Sequence, residues 1–182
     1  MPVLFSRWMT QAALPRILHC ADGLAVAELG TVCVAIWRSK STWPRFEIQK
    51  AILADCVKRK PGGIAFMCVV EQTSEPPDED LRKASSKMIA DHGLQLTCVA
   101  GVIEGAGFRG AITRSVLAGI VFLVRNPSPL KMFESVESAS RWIQSQMPGT
   151  AGSALASQVE YVRRKLDADE HIDWRGGAPA PG

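Results

Sequence analysis

A chain of 182 residues, 47% of them hydrophobic, is sized for one domain with a proper core. Its 21 basic and 18 acidic residues leave a net charge of only +3, and the basic runs Lys58-Arg59-Lys60 and Arg163-Arg164-Lys165 are too short for a nucleic-acid stripe. Five cysteines, an odd number without C-x-x-C or Cys/His ligand spacing, point away from a disulfide frame or a zinc site and towards small buried hydrophobes in a reducing compartment.

Residues 1–14 show no period, and residues 1–15 read as an N-terminal arm. Met1 to Trp8 lacks a basic leader followed by an unbroken apolar run, so no signal peptide is expected. The longest apolar run, Val116 to Val124, is about half of what a membrane span requires, and the expectation is a soluble, cytoplasmic protein without a membrane partner.

A short strand can run from Arg16 to His19, followed by an Ala21-Asp22-Gly23 turn. Leu24–Leu29 and Thr31–Trp37, parted by Gly30, then read as an antiparallel hairpin whose second arm is rich in β-branched residues. Thr42, Trp43 and Pro44 open a helix reaching about Arg59, with Ile48, Ile52 and Cys56 on one face and Pro61-Gly62-Gly63 as its stop. The uncharged run Ile64–Val70 predicts a strand covered on both faces. A helix from about Asp78 to His92 follows, its stripe Leu81, Ala84, Met88 and Ile89 and its stop Gly93, and it leads into a buried strand from Leu94 to Ile103.

The next stretch predicts a glycine turn, a helix over roughly 108–118, a strand Ile120–Val124 and a rigid Asn126-Pro-Ser-Pro129 turn. Ser135 can cap a helix carrying Val136, Ala139, Trp142, Ile143 and Met147, and Pro148-Gly149 closes the domain of residues 16–148. Residues 149–182 hold an amphipathic helix of about 153–169, with Leu155, Val159, Val162 and Leu166 in its stripe, and a tail from Trp174 that reads as disordered. That helix either docks on the domain or meets another chain. Together these elements predict an α/β fold: a mixed sheet of about five strands starting with an antiparallel hairpin, then parallel βαβ units with helices covering it, plus a C-terminal amphipathic helix.

Gly105-Ala106-Gly107-Phe108-Arg109-Gly110 matches G-x-G-x-x-G after an apolar strand, which raises a dinucleotide site. The acid expected about 20 positions on is missing, Arg125 standing in that region and Glu134 being the next acid, and the turn lies past the middle of the chain. A tight turn eased by Gly105 or Gly107 explains the glycines more simply. Between these readings lies an anion site, in which the free N–H groups at 107–110 with Arg109 and Arg114 hold a phosphate or a partner's carboxylate.

No catalytic motif, P-loop lysine or metal spacing occurs, so no enzyme and no cofactor are expected. Of the three histidines, His92 falls in a helix's last turn, where the dipole accounts for it. Glu104 is the one candidate general base, and pairing with Arg109 or Arg114 is the simpler role for it.

The order of elements, with the short helix after the third buried strand and the closing Phe133-Glu-Ser-Val-Glu-Ser-Ala-Ser-Arg-Trp-Ile143, resembles the STAS or SpoIIAA-like domain over about residues 16–147. Uncharacterised stand-alone relatives of that fold carry a Gly-Phe-Arg-Gly-Ala turn like that at 107–111. The resemblance implies a regulatory, protein-binding module. Where the family has a phosphorylated Asp-Ser-(Ser/Thr)-Gly loop, this chain has only Thr73 and Ser74 before Glu75-Pro76-Pro77, and Ser74 suits the opening of a helix better than a phosphorylation switch. The expected contact surface comprises Thr73, Ser74, Glu104, Gly105, Gly107, Phe108, Arg109, Gly110 and Arg114, for a protein partner or, alternatively, a small phosphate-bearing ligand or nucleotide at the 105–110 turn.

Overall fold

Two hairpins with two-residue loops start the sheet. Asp22 and Gly23, both at positive φ, join β1 (Arg16–Ala21) to β2 (Leu24–Leu29), and Gly30-Thr31 join β2 to β3 (Val32–Trp37). An Asp-Gly pair takes this tight reversal at little cost because glycine has no Cβ to clash. The computed structural model describes residues 14–105, 128–150 and 152–176.

After β3 the chain winds α1 (Trp43–Arg59), β4 (Ile64–Val70), α2 (Glu79–Asp91) and β5 (Leu96–Ile103), with β4 and β5 parallel to β3. A further strand, β6 (Leu130–Phe133), pairs in parallel with β5, and α3 (Val136–Gln146) and α4 (Gly152–Asp167) follow. The strand order is β1-β2-β3-β4-β5-β6, the order of the sequence. Crossovers of one hand in a sheet that grows in one direction put their helices on one face, and α1 and α2 do share a face.

The sheet's period of two sorts its side chains between two cores. Leu24, Val26, Ala35, Trp37, Phe66 and Val99 meet α1 and α2 through Phe46, Ile52, Leu53, Leu81 and Met88. On the other face Ala25, Ala27, Ala65, Cys98 and Ala100 are small enough for α3 and α4 to lie close, burying Val136, Ala139, Ile143, Leu155, Val159 and Val162. The C-terminal helix therefore docks on its own domain, over β1 and β2 and beside α3.

The predicted α/β architecture is observed, with two local differences. Among the described residues there are six strands instead of about five, and the sixth is Leu130–Phe133, which the sequence showed only as an approach to Ser135. Four residues with Lys131 among them have too little pattern to read as a strand, and only the neighbouring β5 makes them one. Trp174, expected to begin a disordered tail, packs against the α1/α2 core, and Ile172 forms a bridge to Cys20. The helix and strand predicted at 108–118 and 120–124 lie outside the described residues. No described helix is long and apolar enough to cross a membrane.

Candidate functional site

Parallel strands end together, so the residues that follow them meet along one edge. Arg38 follows β3, Glu71 follows β4 and Glu104 follows β5; Glu71 N–H donates to Trp37 O at 2.8 Å and Glu104 N–H to Val70 O at 3.0 Å, which carries the ladder one step beyond the strands. Arg38 grips Glu71 with Nε at 2.6 Å from Oε2 and Nη2 at 3.2 Å from Oε1, while its Nη1 lies 2.6 Å from Asp167 Oδ1 at the end of α4. The hydrogen bond to Glu71 raises the Arg38 guanidinium above its ordinary value.

A second arginine comes from α4. Arg163 donates through Nη2 to Glu104 Oε1 at 2.6 Å, and its Nη1 and Nε lie 3.3 Å from Glu160 and 3.5 Å from Glu71. Burial alone would lower the Arg163 pKa, but the three carboxylates outweigh it and the net direction is upward. Two guanidinium groups thus face four carboxylates, and they tie the strand ends to the C-terminal helix.

The loops at this edge are also tied to each other. Thr73 Oγ1 donates to Arg38 O at 2.7 Å and Ser74 Oγ to Ser39 O at 2.9 Å, joining the loop after β4 to the loop after β3. Arg45 Nη1 donates to Ser39 Oγ at 2.9 Å and Lys40 O at 2.8 Å from the first turn of α1. Ser74 does not open the next helix as expected. Asp78 caps it, accepting from Leu81 N–H at 2.8 Å, because Ser74 lies a full turn too early and its hydroxyl is spent on Ser39. Asp78→Ala is accordingly expected to lower stability by about 1 kcal/mol in urea melts, the usual worth of such a cap.

Of the residues expected at the contact surface, Thr73, Ser74, Glu104 and Gly105 do gather on this edge. Gly105 has φ +126°, and a Cβ there would come within 3.3 Å of the Gln72 side chain, so glycine is needed for conformation as well as space. Gly107, Phe108, Arg109, Gly110 and Arg114 lie outside the described residues. Glu104 is held by Arg163, from a helix 59 positions away, a pairing that spacing within the glycine turn could not reveal. Arg38, Glu71 and Arg163 were missed as members of the site; the available signal was that each of three strands is followed at once by a charge.

Beneath the edge, between α1, α2 and β4–β6, lies an apolar cavity of about 110 Å³ walled by Trp37, Phe46, Phe66, Leu81, Met88 and Met132 among others. Two of its polar side chains bond to each other: Trp37 Nε1 donates to Gln49 Oε1 at 2.6 Å, and Gln49 Nε2 lies 3.8 Å from Met88 Sδ. The Cys68 thiol on its wall is pushed up to about 12 by burial and stays protonated at neutral pH.

A second charged cluster sits away from this edge. Glu28, inside β2, accepts from Arg59 Nη1 at 2.6 Å and Arg16 Nη1 at 3.3 Å, with Lys60 Nζ 3.2 Å away. Burial opposes its charge, yet the bonds from Arg59 and Lys60 hold the carboxyl below its ordinary value. It lets a carboxylate sit within the sheet. No group of three or more His, Cys, Asp or Glu among the described residues is placed to hold a metal ion.

No protein-family model, no curated protein and no solved structure matches the chain.

Proposed function

We propose that the chain is a STAS-like, non-enzymatic regulatory module that binds a protein partner through the edge formed by residues 38–43, 71–78 and 104–105. The observation that carries this reading is Trp43. It stands 46% exposed at the start of α1, its ring edge-on to the buried Phe46 at 5.8 Å, beside two loops fastened to each other by Thr73 and Ser74. A fixed aromatic ring in a polar rim is what protein interfaces use as an anchor, because it buries much area while losing little side-chain entropy. Lys40 and Glu75, both well exposed and 3.8 Å apart, supply rim charges of opposite sign.

The resemblance points to the same edge independently of Trp43, since the loop corresponding to 71–78 is the one that carries the regulatory Asp-Ser-(Ser/Thr)-Gly site in that family. Affinity capture with the wild-type chain and with Trp43→Ala tests the proposal. Recovery of the protein recovered by wild type is expected to fall about thirtyfold, the effect of losing an anchor worth roughly 2 kcal/mol. Equal recovery by a variant with an unchanged melting temperature would overturn it.

A further inference from the structure

His19 is buried inside β1, 4% exposed, and its Nδ1 has no hydrogen-bond partner. Chain leaving α4 runs back over this strand. Ile172 exchanges both backbone bonds with Cys20, N–H to O at 2.9 Å one way and 2.8 Å the other, and Trp174 packs beyond it on the α1/α2 core. The charged and titratable groups near enough to act on His19 through their charge are Asp173 and His171 from this segment and Asp22 from the β1–β2 turn. His171 Nε2 and Asp173 Oδ2 lie 3.1 Å apart, both exposed.

We propose that residues 170–176 form an acid-released strap, which a proton on His19 opens to bare the β1 edge. A neutral imidazole can be buried with one nitrogen unmet, but an imidazolium needs partners for two N–H groups and loses its hydration. Opening the strap costs two backbone hydrogen bonds, the half-buried Ile172 and Trp174 contacts and the Lys165–Glu170 ion pair, whereas letting water in from the other side would break the whole β1–β2 ladder. The strap is the weaker wall. Once it lifts, the outward N–H and C=O of Cys20 are available to another strand, as on any uncovered sheet edge.

The sign follows from burial, which pushes His19 below its ordinary 6.5, with Asp173 opposing. The open form keeps the ordinary value and binds the proton more readily, so closure is complete above about pH 6.5 and weakens as pH falls. Amide hydrogen exchange, corrected for intrinsic rate, tests this. Protection of the Cys20 and Ile172 amides is expected to fall up to about tenfold between pH 7.5 and 5.5, with Val34 in the sheet interior unchanged. His19→Phe should abolish the dependence and His171→Ala should retain it. A flat wild-type profile overturns the proposal, as does a transition that survives His19→Phe or disappears in His171→Ala.

Discussion

Replacing Arg163 with Met should lower the free energy of unfolding by about 2–3 kcal/mol, read from urea denaturation followed by circular dichroism. Removing one member of a buried ion pair leaves its partners charged in a poor solvent, which costs roughly 3–5 kcal/mol when burial is complete. Glu104 keeps 25% of its side-chain exposure and Glu71 12%, so the lower figure applies. Arg163→Met with Glu104→Gln should cost less than the sum of the two single changes by about 1 kcal/mol, since the neutral amide no longer needs the guanidinium. Additive effects would mean that the pair seen at 2.6 Å contributes nothing.

Leu155→Ala should be as damaging, at about 3 kcal/mol, and should act on the whole domain. Leu155 is 1% exposed and sits in one core with Val34, Ala65 and Ile143, so its loss leaves a cavity between α4 and the sheet. The expected result is one cooperative transition moved to lower denaturant at an unchanged slope. A biphasic curve, or an unmoved midpoint with lost helix signal, would show α4 to be a separable appendage.

Much of the fold was legible because burial writes a period into the chain. Ile64–Val70 has no charge and is a strand covered on both faces; Trp43–Arg59 repeats its apolar positions at helical spacing and ends before Pro61-Gly62-Gly63. Where a segment is structured only by a distant neighbour, no period exists to read. β6 is a strand because β5 lies beside it, and Ile172 is paired because the C-terminal strap crosses Cys20. The site shows the same division. Thr73, Ser74 and Glu104 could be picked out from their positions at predicted strand and loop junctions. Their partners could not: Arg38 O, Ser39 O and Arg163 are brought by other elements from 35 to 59 residues away. Ser74 was misread as opening a helix because hydroxyl residues before a helix look alike until the carbonyl they reach is known.

The neighbour-by-neighbour order of the strands has a bearing on how the molecule assembles. Each new strand can be laid beside its predecessor as the chain lengthens, so among the described strands all ladder pairing is between successive elements. One surface escapes this rule. Among the described residues, the alanine-rich side of β2 meets its helical cover in residues 152–167, more than a hundred positions downstream, so that packing forms only after α4 has been made. A ribosome-bound or truncated form lacking the helix would present that side to chaperones.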